Sequence, residues 1–501
     1  MLNRFFNIGK ILLYLLLALL LAAAIFQVIH HVDRGTVNIW DEASSAQNAI
    51  EMLSNNNYIV VHHDGEPDHN DTRPPMAVWT KVISYKLFGI NELSVRIPSI
   101  IAVILTMLFL LAFSLLFIRD LRYGIAILLL IACTAGYNVS HVARTGDPDA
   151  LMVFFVSAYI LAYFIILETI PKASNRYFII LGLAIGAAYY TKSVLGLAPL
   201  AGLSIYTFTQ KNGYRLLKDI RFHLSWAATL IIILLYYVIR EQFDPGYIYA
   251  VFIEEFKVIN KPRWIKHPET AFYFNYLREI GFKPFFFFLF IPLVPMLFSN
   301  NNRIRRLLLY TLLGASAFLV GSSFVTIKNE WYIASIYPFL WLYLGVGFVE
   351  LLKMILVIAD NKFIQTTIFL AIIGFLMIFY FPTYKGILEK NTHFEGKYIY
   401  SMNREGHFLN LLKMDHPEYK ELSVVTYENP RQVKFYAKKY HYLDSTMVYI
   451  DSTINDRLIG HKVIVCNDSL EKQLKEKYLY YILDTGRYCH LYEIVGKYIE
   501  E

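Results

Sequence analysis

The sequence predicts a polytopic α-helical membrane protein, with about eleven to thirteen transmembrane helices, that ends in a small extracytoplasmic α/β domain. Three observations predict it. Of 501 residues, 56% are hydrophobic and only 17% are charged, whereas a soluble chain carries about a quarter charged residues. Runs such as ILLYLLLALLLAAAIF and IIAVILTMLFLLAFSLLFI are long enough to cross the hydrocarbon core. Near residue 383 the composition changes to alternating strand and helix patterns of ordinary polarity. The expected division is a membrane domain over 1–382, with its first outer loop at 41–96, and an extracytoplasmic domain over 383–501.

The apolar runs place spans near 11–29, 97–118, 123–140, 149–167, 177–190, 194–208, 224–239, 285–298, 307–324, 331–348 and 363–381, with 349–359 unassigned. The first follows Arg4 and Lys10 and has no small-residue cleavage site before HHVDRGTVNIWDE, so it reads as a retained helix with its N-terminus in the cytoplasm. Alternate loops then hold Arg119 and Arg122; Lys172 and Arg176; Lys211, Arg215, Lys218 and Arg221; Arg303, Arg305 and Arg306; Lys353 and Lys362. Those loops are cytoplasmic by the positive-inside rule. The net charge of +7 is spread over them, which gives no nucleic-acid signal. Three cysteines make no disulfide scaffold: Cys133 sits in an apolar span, while Cys466 and Cys489 lie at strand ends in the tail and can pair in an oxidising compartment.

The first outer loop has helical patterning of its own. Asp41 and Glu42 open a helix in which Ala43, Ala46, Ile50 and Leu53 recur at helical spacing, and Asn55 to Asn57 end it. The run 62–72 reads as loop. Pro74 and Pro75 begin a second, interfacial helix that ends at Gly89, with Met76, Trp79, Val82, Ile83 and Phe88 on its face and Lys81 and Lys86 interspersed. In the tail, strands are expected at 423–427 and 462–466, helices at 431–439 and 469–478 with Ser469 as N-cap, and a hairpin around Asp484, Thr485 and Gly486.

Three clusters of ionisable residues fall on the outer side: Asp41 and Glu42 after the first span, Arg144, Asp147 and Asp149 between the third and fourth, and Lys328, Glu330 and Tyr332 between the ninth and tenth. Several charges of both signs on one membrane face mark a functional site rather than solvated helix ends. Together with W-D-E (Trp40, Asp41, Glu42), R-P-P-M (73–76), L-F-G-I-N-E-L-S-V-R-I-P-S (87–99), A-R-T-G-D-P-D-A-L (143–151), Y-T-K-S (190–193) and K-N-E-W-Y with Pro338, they resemble the GT-C superfamily of membrane glycosyltransferases. The likeness is to the family of protein O-mannosyltransferases and lipid A aminoarabinose transferases, and it covers about the first 380 residues.

The resemblance implies transfer of a sugar from a polyprenyl-phosphate carrier, undecaprenyl phosphate in a bacterial inner membrane, to a glycolipid, protein or polysaccharide acceptor on the extracytoplasmic face. Phosphate is already a good leaving group, so such a site needs cations for the phosphate and a carboxylate for the acceptor's proton. By the family motif, Asp41 is the base or acceptor-orienting carboxylate, with Glu42 and Asp149 as further catalytic acids and Asp147 as a second carboxylate. Arg73 and Lys328 are the carrier-phosphate binders, joined by Arg144, Tyr332 and Lys192, although Lys192 is equally suited to anchoring a helix end. Arg96 bridges loop and helix. No cofactor is required. A divalent metal is left open, with His267 as its candidate ligand, while Thr72 stands where some relatives have an acid. A flippase of lipid-linked sugars would show repeated halves and mid-membrane charges, and a glycan ligase an arginine-rich late loop; neither pattern is evident.

Overall fold

Where an apolar run exceeds about 20 residues it can cross a bilayer as one helix, and shorter runs fold into bent or internally buried pieces. The computed structural model describes residues 2–38, 40–69, 72–139, 141–260, 269–325, 327–356, 362–392, 404–427 and 430–498. Among the described residues, six helices are long and apolar enough to cross unaided: Gly9–Ile29, Glu92–Ile118, Asp149–Thr169, Ile220–Phe243, Asn302–Ser323 and Glu330–Leu356. Two further pairs reach that length only together: Phe272–Gly281 with Phe286–Phe298, bent by 116°, and Phe363–Ile378 with Tyr380–Asn391, bent by 44°. The chain is a polytopic helical membrane protein, with six to eight candidate spans among the described residues in place of the expected eleven. Most of the difference lies in Leu121–Ala132 and Val194–Thr209, which are apolar but short.

Burial separates centre from periphery. In Asp149–Thr169, 89% of the apolar window is buried, against 22% in Ile220–Phe243. Beside the central helix, Trp341 is fully buried; its indole N–H donates to Thr134 Oγ1 at 2.9 Å and its ring meets Tyr137 edge-on. Helix starts are capped by side chains the sequence supplies. Asn91 and Ser94 form a reciprocal capping box at Glu92–Ala112, and Asn301 and Asp219 accept from the first amides of Asn302–Ser323 and Ile220–Phe243.

In the first loop the two expected helices form as Asp41–Ser54 and Met76–Phe88, the second closed by Gly89 at φ 74°. The run expected as loop contains a minimal antiparallel hairpin, His62–His63 against Glu66–Pro67. Asp64 and Gly65 turn it with φ of 58° and 89°, the two-residue turn that matches strand twist.

The tail folds as a five-stranded mixed sheet in the order Met447–Asp451, Glu421–Val425, Lys462–Val465, His490–Lys497, Tyr478–Thr485. The first three strands are parallel and the last two make the expected antiparallel hairpin. Cys466 and Cys489 form a disulfide across it. The helix after Lys462–Val465 is capped by Asn467, which accepts from the Ser469 and Leu470 amides, so the expected cap at Ser469 is corrected. Glu421–Val425 is buried in the middle, whereas Met447–Asp451 is a half-exposed edge whose weak alternation hid it. The helix Arg431–Asp444 packs onto Asp41–Ser54, where Phe435 and Tyr436 join Val37, Ile50 and Val82 in one apolar core. Gln432 Nε2 donates to the Val37 carbonyl at 2.7 Å, Tyr436 Oη donates to Glu92 at 2.9 Å, and Lys434 pairs with Asp64.

Candidate active site

Asp41 is the first residue of its helix. It is about one-third exposed, and Arg73 Nη1 lies 3.9 Å from its Oδ2. Arg73 directly precedes the Pro74–Pro75 step into Met76–Phe88. Asp41 and Arg73 line a narrow cleft with Ser44, Ser45, Pro75, Ala77, Pro148 and Thr191. The cleft therefore draws on both first-loop helices, the Pro148 turn and the end of the helix Asn175–Lys192.

Beneath it, Asp149 begins the central helix and Lys192 ends its neighbour, with Lys192 Nζ 2.8 Å from both carboxylate oxygens and both side chains buried. The ammonium lies 5.6 Å from the centre of the Tyr332 ring. Lys328, also buried, leads into the turn Glu330–Ile336 that carries Tyr332. Asp147 is buried with His141 Nδ1 3.5 Å from Oδ2, and His141 stacks on Trp331 at 3.8 Å. Burial alone raises the Asp147 carboxyl, but His141 outweighs it and holds Asp147 below its usual range; Asp147 in turn lifts His141 against its own desolvation.

Two expected site residues stand apart from the cleft. Glu42 is fully buried and accepts from Arg96 Nε at 2.9 Å, Gly146 N at 2.8 Å, Asn38 N at 2.8 Å and Asn38 Nδ2 at 2.7 Å. Arg96 also donates to the carbonyls of Val32, Arg34, Gly35 and Thr36, clasping the connection between first span and first loop. Arg144 donates to the carbonyls of Gln27, Val28 and His30, the orphan acceptors at the end of the first helix. His267 lies outside the described residues. Asp41, Glu42, Asp147 and Asp149 each face a basic side chain, and among the described residues no three His, Cys, Asp or Glu side chains gather for a metal ion. This donor set does not fit a metal, and no step is derived through one.

Lys81, read from the sequence only as interspersed with Lys86 along the interfacial helix, is 1% exposed. The signal was available, because Ala77, Val78, Lys81, Val82 and Tyr85 share one buried helical stripe. His141 carried no such signal.

Residues 72–244 match the family model described as dolichyl-phosphate-mannose-protein mannosyltransferase. An uncharacterized protein of Aquifex aeolicus is 26% identical over 324 residues, 62% of this chain and 60% of that one. The undecaprenyl phosphate-alpha-4-amino-4-deoxy-L-arabinose arabinosyl transferase of Serratia proteamaculans is 26% identical over 183 residues, 36% of this chain and 32% of that one. The chain thus spans less than two thirds of the length of either relative. Among solved structures, ArnT from Cupriavidus metallidurans bound to undecaprenyl phosphate aligns with TM-score 0.69 and 15% identity over 95% of this chain and 97% of that one. The Archaeoglobus fulgidus oligosaccharyltransferase in the apo form aligns with TM-score 0.55 and 12% identity over 94% and 69%. Such identities establish the fold. The segment 72–244 is thus similar to the dolichyl-phosphate-mannose-protein mannosyltransferase family, and the chain around it has the fold of ArnT from Cupriavidus metallidurans.

Proposed function

We propose that the chain is a glycosyltransferase that moves a sugar from a polyprenyl-phosphate donor, undecaprenyl phosphate in a bacterial inner membrane, to a lipid, protein or glycan acceptor on the extracytoplasmic face. The observation that carries this reading is the Asp41–Arg73 couple at a cleft, a carboxylate and a guanidinium each about one-third exposed and 3.9 Å apart, above a buried Asp149–Lys192 pair. The acceptor oxygen attacks the anomeric carbon, the bond from that carbon to the carrier phosphate breaks, and polyprenyl phosphate leaves with the bonding electrons. Asp41 takes the acceptor's proton. Arg73, directly before the Pro-Pro helix start, and Lys328 receive the phosphate. Lys192, with its ammonium 5.6 Å from the Tyr332 ring centre, serves chiefly to hold Asp149.

The test is transfer of labelled sugar from undecaprenyl-phosphate donors by purified protein in liposomes, with carrier affinity measured separately. Asp41→Asn is expected to slow transfer by about 10²- to 10⁴-fold, as for loss of a general base, with carrier affinity retained. Arg73→Ala is expected to weaken carrier binding, and Arg73→Lys to be milder. Near-normal transfer by folded Asp41→Asn removes Asp41 from the mechanism, and unchanged carrier affinity in Arg73→Ala moves the phosphate site to Lys328.

A further inference from the structure

At the far end of the central helix from the cleft, the helix ends enclose a second, larger cavity. Asp149 begins that helix beneath the cleft, and Glu168 lies about 28 Å further along it at about 1.5 Å per residue. Close to Glu168 opens a cavity of about 650 Å³, where the spans Glu92–Ile118 and Glu330–Leu356 end and Asn302–Ser323 begins. Among the described residues its lining holds three cations, Arg303, Arg306 and Lys353, and one acid, Glu350. Glu350 is 7% exposed and accepts from Tyr123 Oη at 2.6 Å and from Ser299 Oγ, so its charge is engaged inside the protein. Lys353 Nζ reaches Asp120 at 2.9 Å and Tyr123 Oη at 3.0 Å. Arg306 holds Glu168 through two bonds of 2.6 and 2.7 Å. Arg303 is less committed. Glu168 stands 3.9 Å from it and is already held by Arg306, and the Arg303 side chain is 47% exposed. It donates to the Phe117 carbonyl at 3.3 Å, and a guanidinium carries more N–H groups than that bond uses. Beside the cavity, within two residues of the lining Ile118, Ser299 and Met354, the same helix ends expose Leu116, Phe298 and Ile355. Anchoring of basic residues at a membrane face accounts for exposed charge. It does not account for a cavity that joins cations, a buried acid tied to two hydroxyls, and apolar flanks.

We propose that this cavity binds the phosphodiester headgroup of an anionic phospholipid. The phosphate accepts from the fork of Arg303 and from the Lys353 ammonium, the pairing that basic pockets between membrane helices offer to lipid headgroups. Arg306, doubly bonded to Glu168, ties the wall of the site to the central helix. The field has the right sign. Around this end of the bundle Arg119, Arg122, Arg303, Arg305, Arg306 and Lys353 stand against Asp120, Glu168 and Glu350, an excess of positive charge that draws in an anion. The apolar flanks decide between a lipid and a free phosphate. Leu116, Phe298 and Ile355 give acyl chains a path from the headgroup into the bilayer, and a soluble anion makes no use of them. The basic loops mark this side as the expected cytoplasmic face, the opposite face from the cleft. The proposal is independent of the transferase reading.

The experiment uses full-length protein exchanged into phospholipid-free detergent, with melting temperature followed during titration by phosphatidylglycerol, phosphatidylcholine or inorganic phosphate. Phosphatidylglycerol at saturation is expected to raise the melting temperature by about 3 °C or more above phosphatidylcholine. Arg303→Gln is expected to raise the half-saturating phosphatidylglycerol concentration by about tenfold or more. Arg303→Lys, which keeps the charge without the fork, is expected to fall between. Arg305, close by but outside the lining, donates to the Met296 carbonyl at 3.2 Å, and Arg305→Gln is expected to keep the wild-type response. Equal responses to the two lipids overturn the proposal. Equal losses in Arg303→Gln and Arg305→Gln also overturn it, because they show attraction to a charged surface and not a site. An equal shift with inorganic phosphate at the same concentration overturns the lipid and makes the ligand a soluble anion. Native mass spectrometry gives a second readout that needs no melting curve. Phosphatidylglycerol is expected to stay on wild-type protein in preference to phosphatidylcholine and to be lost from Arg303→Gln; retention without that preference counts against the site. Protein that transfers no sugar still decides this question, and a failed lipid response leaves the transferase reading as it stands.

Discussion

Replacing Glu42 by glutamine is expected to unfold the first loop rather than to stop chemistry in a folded enzyme. One Glu42 oxygen accepts from Arg96 Nε at 2.9 Å and Gly146 N at 2.8 Å; the other accepts from Asn38 N at 2.8 Å and Asn38 Nδ2 at 2.7 Å. All four partners are donors, so a glutamine amide must turn its own N–H groups toward two of them. The Arg96 guanidinium, 4% exposed, keeps its charge without a counter-ion. Removing one member of a buried ion pair costs about 3–5 kcal/mol, a large part of the roughly 5–15 kcal/mol by which folded proteins are stable. Arg96→Met strands Glu42 and the carbonyls of Val32, Arg34 and Thr36, each orphan costing about 1–3 kcal/mol. The double variant removes both charges, so its loss falls well short of the sum of the singles, with a coupling of at least about 2 kcal/mol. The assay is unfolding free energy from denaturing-detergent titration in mixed micelles, with transfer measured on the folded fraction. Glu42→Gln within about 1 kcal/mol of wild type would falsify the clasp. Full stability with lost transfer would instead return Glu42 to the catalytic acids.

Lys192→Met strands the buried Asp149 carboxylate and is expected to cost about 3–5 kcal/mol, most of which Asp149→Asn in the same chain recovers; additive losses measured by the same titration would count against the pair. The His141–Asp147 pair predicts a pH dependence. Its raised histidine contributes stability that is complete below 6.5 and fades as pH rises through the lifted value; its depressed aspartate contributes above 3.8 and fades on acidification below that. Melting temperature should therefore fall as pH climbs from 6.5 into the alkaline range, and His141→Gln should flatten that slope; an unchanged slope removes His141 as its source. Reducing the Cys466–Cys489 bridge, which closes a separation of 23 residues, should lower tail stability by about 3 kcal/mol, seen as faster proteolysis of the sheet; equal digestion with and without reductant refutes it.

What the sequence made legible follows from what is local. The helix starts at Asp41 and after Pro75, the stop at Gly89 and the hairpin around Gly486 depend on neighbours within a few residues, and each was readable. The roles of the acids were not, because Asp41 and Glu42 are adjacent in sequence yet point about 100° apart around a helix. Glu42 turns inward to Arg96, 54 residues away, and Asp41 to the cleft. Arg144 was misread for the same reason. Its partners are main-chain carbonyls more than 110 residues distant, and an orphan carbonyl at a helix end has no side-chain signature. The span counts differ mainly at Leu121–Ala132 and Val194–Thr209, apolar helices too short to pass a length criterion among the described residues.

The division of labour among the four acids is a consequence of how tightly each is held. Glu42, Asp147 and Asp149 are at most 1% exposed on the side chain, each committed to a cationic partner inside the protein. Breaking any of these contacts exposes a charge to a medium that solvates it poorly, so they act as frame. Asp41 differs in both respects: its carboxylate is 36% exposed, and its cation stands off at 3.9 Å. An ion pair of that kind contributes about 0–1 kcal/mol, so in the proposed reaction Asp41 would exchange Arg73 for an acceptor hydroxyl, and Arg73 would exchange Asp41 for a phosphate, at little cost. That exchange is useful only if the helix carrying Asp41 stays fixed while it happens. The frame fixes one side through Glu42, and the tail fixes the other through Gln432 on the Val37 carbonyl, Tyr436 on Glu92 and the apolar core around Ile50. The tail sheet, which among the described residues contributes no side chain to the cleft, would therefore bear on the proposed reaction through the rigidity of the Asp41 helix.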